Sequence, residues 1–134
     1  MHISNFNDLL QAARYEPLPQ RLLFVFTAVE LPEDSSAQQR TDFEAGHGGA
    51  LAPQMCVDKS PQELDSFDAL CAEAAQFQKP WGLVFAAALS GTPGQVPADS
   101  EVDAAFESMV EDLKKGRLER YIPFDRTGQP VQFG

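Results

Sequence analysis

Residues 21–31 read RLLFVFTAVEL, a nearly unbroken apolar run rich in β-branched and aromatic residues. A strand with one wet face alternates apolar and polar side chains. A run with no such alternation has both faces in contact with protein. Residues 81–90, WGLVFAAALS, repeat the pattern and are predicted to form a second strand buried on both faces. Two such strands need a layer on each side of the sheet, which places the chain in the α/β class.

The segments around these runs supply the covering layers. Phe6, Leu9, Leu10 and Ala13 recur at helical spacing behind an N-cap at Ser4 and a staple at Ile3, and Pro17 and Pro19 stop that helix. After a polar loop over 32–36, Ser35 or Ser36 caps a short helix that runs to Ala45, with Gly46 at its left-handed end. Pro53 marks the start or edge of a strand near Gln54–Asp58. Ser60, Pro61 and Glu63 form a capping box, which opens a helix with Leu64, Phe67, Leu70, Cys71 and Ala74 on its apolar stripe.

A Gly/Pro loop over 91–97 precedes the clearest helix, opened by Asp99 or Ser100. Its stripe is Val102, Ala105, Phe106, Met109, Val110 and Leu113, with acids at its start, Lys114 and Lys115 at its end, and Gly116 as its stop. The tail YIPFDRTGQPVQFG reads as a β-hairpin turning over 125–129. The expectation is one globular α/β domain over 1–134. Its mixed sheet of four or five strands is covered by about four helices, with right-handed crossovers between parallel strands and the hairpin at the C-terminus.

Composition bounds function by exclusion. The net charge of −10 opposes binding to nucleic-acid backbones and to anionic lipid, so a charged partner is expected to be basic. The longest apolar runs are too short to span a bilayer. MHISNFNDLL lacks the basic and apolar regions of a signal peptide. Two cysteines in a chain able to build its own core read as reduced thiols, and a cytoplasmic location is expected.

Three groups of residues are candidates for a site. In FEAGHGGALAPQMCVDKSP, residues 43–61, His47 could act as base to a Cys56 nucleophile, provided the two meet in an electropositive setting. Against this, Gly46, Gly48 and Gly49 suit a helix-to-strand turn, and Cys56 suits a small strand residue. Cys71 reads as core, although spacing alone leaves a disulfide with Cys56 open. Ser90, Gly91, Thr92 and Gly94 lie beyond the end of a buried strand, where α/β proteins often bind ligands, but they match no phosphate loop or nucleophile elbow. Lys114, Lys115, Arg117, Arg120 and Arg126 are five of the ten basic residues and suit docking of an acidic partner face. No spacing supplies a metal site, and no cofactor is expected; Asp99, Glu101 and Asp103 lack the central glycine and closing glutamate of a calcium loop.

Taken together, LLFVF (22–26), MCVDKSP (55–61), PWGLVFAAALSG (80–91) and FDRTGQPV (124–131) resemble a small family of single-domain proteobacterial proteins that often carry the label ribonucleotide reductase subunit alpha. The likeness runs over essentially the whole chain. A catalytic subunit of that reductase is a large barrel with a radical cysteine and a redox cysteine pair, and two cysteines in 134 residues cannot supply them. The resemblance therefore implies at most an accessory role in nucleotide metabolism, and it brings no site residues with it.

The residues favour a non-catalytic module that binds or regulates another protein, with homo-oligomerisation possible. A small enzyme or ligand-binding domain is the alternative.

Overall fold

The structure is a computed structural model and describes residues 3–30 and 50–132. The helix expected up to Ala45, its Gly46 stop and His47 lie outside the described residues. The described elements are α1 (Phe6–Tyr15), β1 (Gln20–Glu30), β2 (Ala50–Lys59), α2 (Phe67–Ala75), β3 (Leu83–Ser90), α3 (Asp99–Lys114) and β4 (Ile122–Phe124). Among the described residues this is an α/β fold in which three helices cover a four-stranded open sheet.

The apolar run that begins at Arg21 becomes the inner strand β1, described to Glu30, and the sheet order is β2-β1-β3-β4. Its side chains divide between two cores, as a two-sided strand requires. Leu22, Phe24 and Phe26 join α1, α2, Trp81 and Phe124 on one face. Leu23 and Val25 join Phe85 and the α3 residues Val102, Met109 and Leu113 on the other. The strand expected over Trp81–Ser90 starts at Leu83, and only Val84, Phe85 and Ala86 are fully buried; Ala88 and Ser90 are exposed.

The expected mixed sheet is replaced by a wholly antiparallel one. β2 and β3 do run the same way, joined through α2, as helix–strand alternation suggests. β1 lies between them, however, so neither has the other as a neighbour. The strand with two apolar faces takes the inner position, and each partner pairs with it in the opposite sense. Beside Pro53, the β1–β2 register slips: Phe26 faces Met55, but Thr27 faces Pro53. A proline on this edge strand costs no ladder hydrogen bond if its nitrogen faces outward.

Capping differs from expectation at three places, and at two of them a partner distant in sequence competes. The α1 cap is Asn5, whose side chain accepts from the Asp8 N–H, while Asp8 accepts from the Ser4 N–H. The Ser60 hydroxyl accepts from the Glu63 N–H and donates to the Glu63 carboxylate, which is half of the expected capping box, yet the turn they open ends at once. The Arg14 guanidinium donates to the carbonyls of Pro61 and Leu64, groups that a continuing helix would have used, and α2 starts afresh with Ser66 as its cap. Asp99 donates no cap to α3, because its carboxylate is held by Arg21.

α3 ends as its sequence indicates. Gly116 has φ +77, the Arg117 N–H reaches the Asp112 carbonyl and the Gly116 N–H reaches that of Leu113, the paired bonds of a Schellman ending.

The tail stays with its own sheet. β4 pairs with β3, and the returning arm is reduced to a bridge between Phe124 and Pro130 and a bond from the Val131 N–H to the Pro123 carbonyl. Gly128 turns the chain at φ +82, and its carbonyl accepts from the Phe6 N–H.

Asp125 organises this turn. Its carboxylate accepts from the Thr127 hydroxyl at 2.6 Å and from the N–H groups of Thr127 and Gln129 at 2.8 and 3.2 Å. The Thr127 hydroxyl is the main reason its pKa lies below the usual carboxylate value. A carboxylate with a depressed folded pKa stabilises above its unfolded pKa of about 4, and that contribution is lost as pH falls through the folded value. D125N keeps an acceptor oxygen but does not titrate. Its urea midpoint is expected to drop less than the wild type's between about pH 5 and pH 2; parallel pH profiles would show that the turn carries no such linkage.

Candidate functional site

α3 packs most closely on β2 and β1, and its flank over β2 is left partly open. The consequence is visible along its apolar stripe. Val102, Met109 and Leu113 are buried, whereas Phe106 and Val110 on one flank, and Ala105 on the other, stay half-buried. Phe106 and Val110, one helical turn apart, face Cys56 of β2 across an open groove of about 490 Å³. Glu107, Glu111 and Lys114 line the rest of it.

Cys56 is exposed, and it points to the α3 face because its register partner Val25 belongs to that core. Desolvation in the groove pushes its thiol pKa up. A nucleophilic cysteine needs the opposite, a cationic setting that lowers the pKa. Here two glutamates and a single lysine border the groove.

Cys71 lies across the sheet from Cys56, packed against the core shared by α1 and α2. Burial pushes its pKa up too, partly offset by Arg126. Both thiols are free, and the sheet between them rules out the disulfide that spacing left open.

Salt bridges fix the end of β2 next to the groove. Arg21 of β1 binds Asp58 of β2 and reaches Asp99 at 2.8 Å at the start of α3. Side-chain hydrogen bonding to Asp58 is the largest cause of its raised pKa. The same guanidinium donates to the Pro97 carbonyl at 3.1 Å, so one side chain ties strand, edge strand and helix together. On the other face, Lys59 pairs with Glu73 of α2 at 2.7 Å. The Arg21 pairs were not legible in the sequence, because Asp58 and Asp99 lie 37 and 78 residues from Arg21.

The loop after β3 is held by side-chain and backbone hydrogen bonds. Gln20 donates to the Ser90 hydroxyl at 2.8 Å, and the Gly91 N–H donates to the Pro19 carbonyl at 2.8 Å. Thr92 and Gln95 exchange both backbone hydrogen bonds around Pro93 and Gly94. Proline followed by a glycine at φ +74 is the signature of a type II turn. Gly94, with Val96, Leu18 and Gln62, borders a hollow of about 390 Å³ beside the end of α1.

The five basic residues do not share one surface. Lys114 belongs to the groove. Arg117 and Arg120 border a small hollow together with Asp112 and Glu119. Asp112 accepts from the Tyr121 hydroxyl, and burial followed by this bond pushes the Tyr121 pKa up to about 12. Arg126 is on the opposite side of the sheet, 4.6 Å from the Trp81 ring and donating to its carbonyl. Lys115 is exposed at the end of α3. Among the described residues, no group of three or more His, Cys, Asp or Glu could hold a metal ion, and no helix is long and apolar enough to cross a membrane.

No protein-family model matches the chain, and no curated protein or solved structure matches it either.

Proposed function

We propose that this protein acts by binding another protein, and that its contact surface is the groove between α3 and the edge strand β2. The carrying observation is the half-buried apolar flank of α3, Phe106 and Val110, standing over an exposed Cys56 beside the sheet edge. A helix that packs fully onto a sheet buries its stripe. This one leaves part of the stripe accessible in a concave, open site, the feature that marks interaction surfaces more than scattered exposed apolar residues do. Among the described residues, the exposed large apolar side chains are Tyr15, Phe77 and Val96, and none of them borders the groove.

The raised thiol pKa and acidic surroundings of Cys56 weigh against a nucleophile there, so binding accounts for the groove better than covalent catalysis.

Val110→Glu places a charge in the groove at a position that is already half-exposed, so the variant is expected to fold. In affinity capture from native lysate, wild type is expected to retain a partner that Val110→Glu loses. The double variant Lys115→Glu, Arg120→Glu keeps that partner. Equal retention by Val110→Glu would move the contact away from the groove, and loss in the double variant alone would return it to the basic segment.

A further inference from the structure

Resting on that reading, we infer that the groove takes an extended, basic segment of its partner, added as a strand to the outer edge of β2. The sheet order leaves β2 at one end, and among the described residues no strand pairs with its outer side. Every second residue there presents backbone N–H and C=O groups outward, which is a template for an incoming strand. Pro53 and the register slip next to it blunt the N-terminal half. The regular ladder over Met55–Lys59 remains, long enough to hold a short segment.

Geometry links this edge to the groove. An added strand lies about 4.8 Å from β2 and turns alternate side chains to opposite faces. One set faces the side of Cys56, beneath Phe106 and Val110. A docked helix would leave the edge unpaired.

Charge selects the sequence. Glu107 and Glu111 border the groove, the chain carries −10, and nearby Asp58 is already engaged by Arg21. The favoured segment alternates an apolar residue, for Phe106 and Val110, with Lys or Arg for the glutamates. A second copy of this chain is disfavoured, since edge-to-edge pairing would bring two −10 chains and their glutamates together.

The test uses the full chain and a displayed library of random linear peptides. Enriched sequences are expected to alternate apolar and basic residues, and a synthetic representative should protect Cys56 from alkylation. Its affinity should fall roughly tenfold with Glu107→Lys, Glu111→Lys, and also with added salt. Methylating alternate peptide amides should abolish binding in one register and spare it in the other, a readout only strand addition gives. Enriched peptides that are acidic, or helical when bound, but are still lost with Val110→Glu overturn this inference and leave the groove standing. Peptides indifferent to Val110→Glu, or no enrichment, overturn both.

Discussion

Phe24→Ala is expected to remove about 3–5 kcal/mol of stability, a large share of the roughly 5–15 kcal/mol a domain possesses. Phe24 is fully buried at the centre of β1. Its ring lies 5.6 Å from that of Phe6, which in turn stacks edge-on against Phe67 at 4.9 Å and Phe124 at 5.3 Å. Truncation therefore opens a cavity where α1, α2 and β4 meet the sheet, and none of these can collapse into it without leaving its other contacts. Trp81, the only tryptophan, belongs to the same core and reports the transition by fluorescence. The urea midpoint should fall with little change in slope. Phe106→Ala, at the half-buried groove wall, should cost about 1 kcal/mol, because much of that ring is already in water. Equal losses for the two variants would contradict the assignment of Phe106 to an open site.

Gly91→Ala is expected to cost about 1–3 kcal/mol although no unusual backbone angle is involved. A Cβ at this position would lie 2.0 Å from the Gln95 carbonyl oxygen and 3.1 Å from Pro97 Cδ. The obstacle is backbone, held by the paired Thr92–Gln95 bonds and by the Gly91 N–H on the Pro19 carbonyl. Relief requires the turn to open or β3 to shift at its end. Gly94→Ala meets no atom within 4 Å but must hold φ +74, at about 1–2 kcal/mol. Gly82→Ala meets neither obstacle and should be close to neutral. Thermal midpoints should thus rank Gly82→Ala above Gly94→Ala, and Gly94→Ala above Gly91→Ala. A neutral Gly91→Ala would mean that the loop is looser than its hydrogen bonds indicate.

The site was legible in fragments only. The stripe of α3 was plain in the spacing of Val102, Phe106, Met109 and Val110, but spacing cannot show how much of a stripe the sheet will cover. That depends on where the helix settles on β1 and β2. Cys56 was conspicuous as one of two cysteines, yet its setting depends on Glu107 and Glu111, about fifty residues later in the chain. The basic segment looked continuous because its residues are close in sequence; chain reversal at Gly116 and again around Gly128 sends Arg126 to Trp81, across the sheet from Lys114.

From sequence alone, the β1 run announced a strand with two apolar faces and hence a layered α/β arrangement. Period and propensity also located α1, α3, the Gly116 stop and the turn at Gly128. These features rest on contacts within a few residues, so composition and spacing suffice to specify them. Only the tertiary structure decided that β1 sits between β2 and β3 and makes the sheet antiparallel. The same is true of Arg14 ending the turn after Ser60, and of the groove left between α3 and β2. Each of these outcomes is a competition between groups far apart in the chain, and its winner is set by which surfaces meet once the layers have packed.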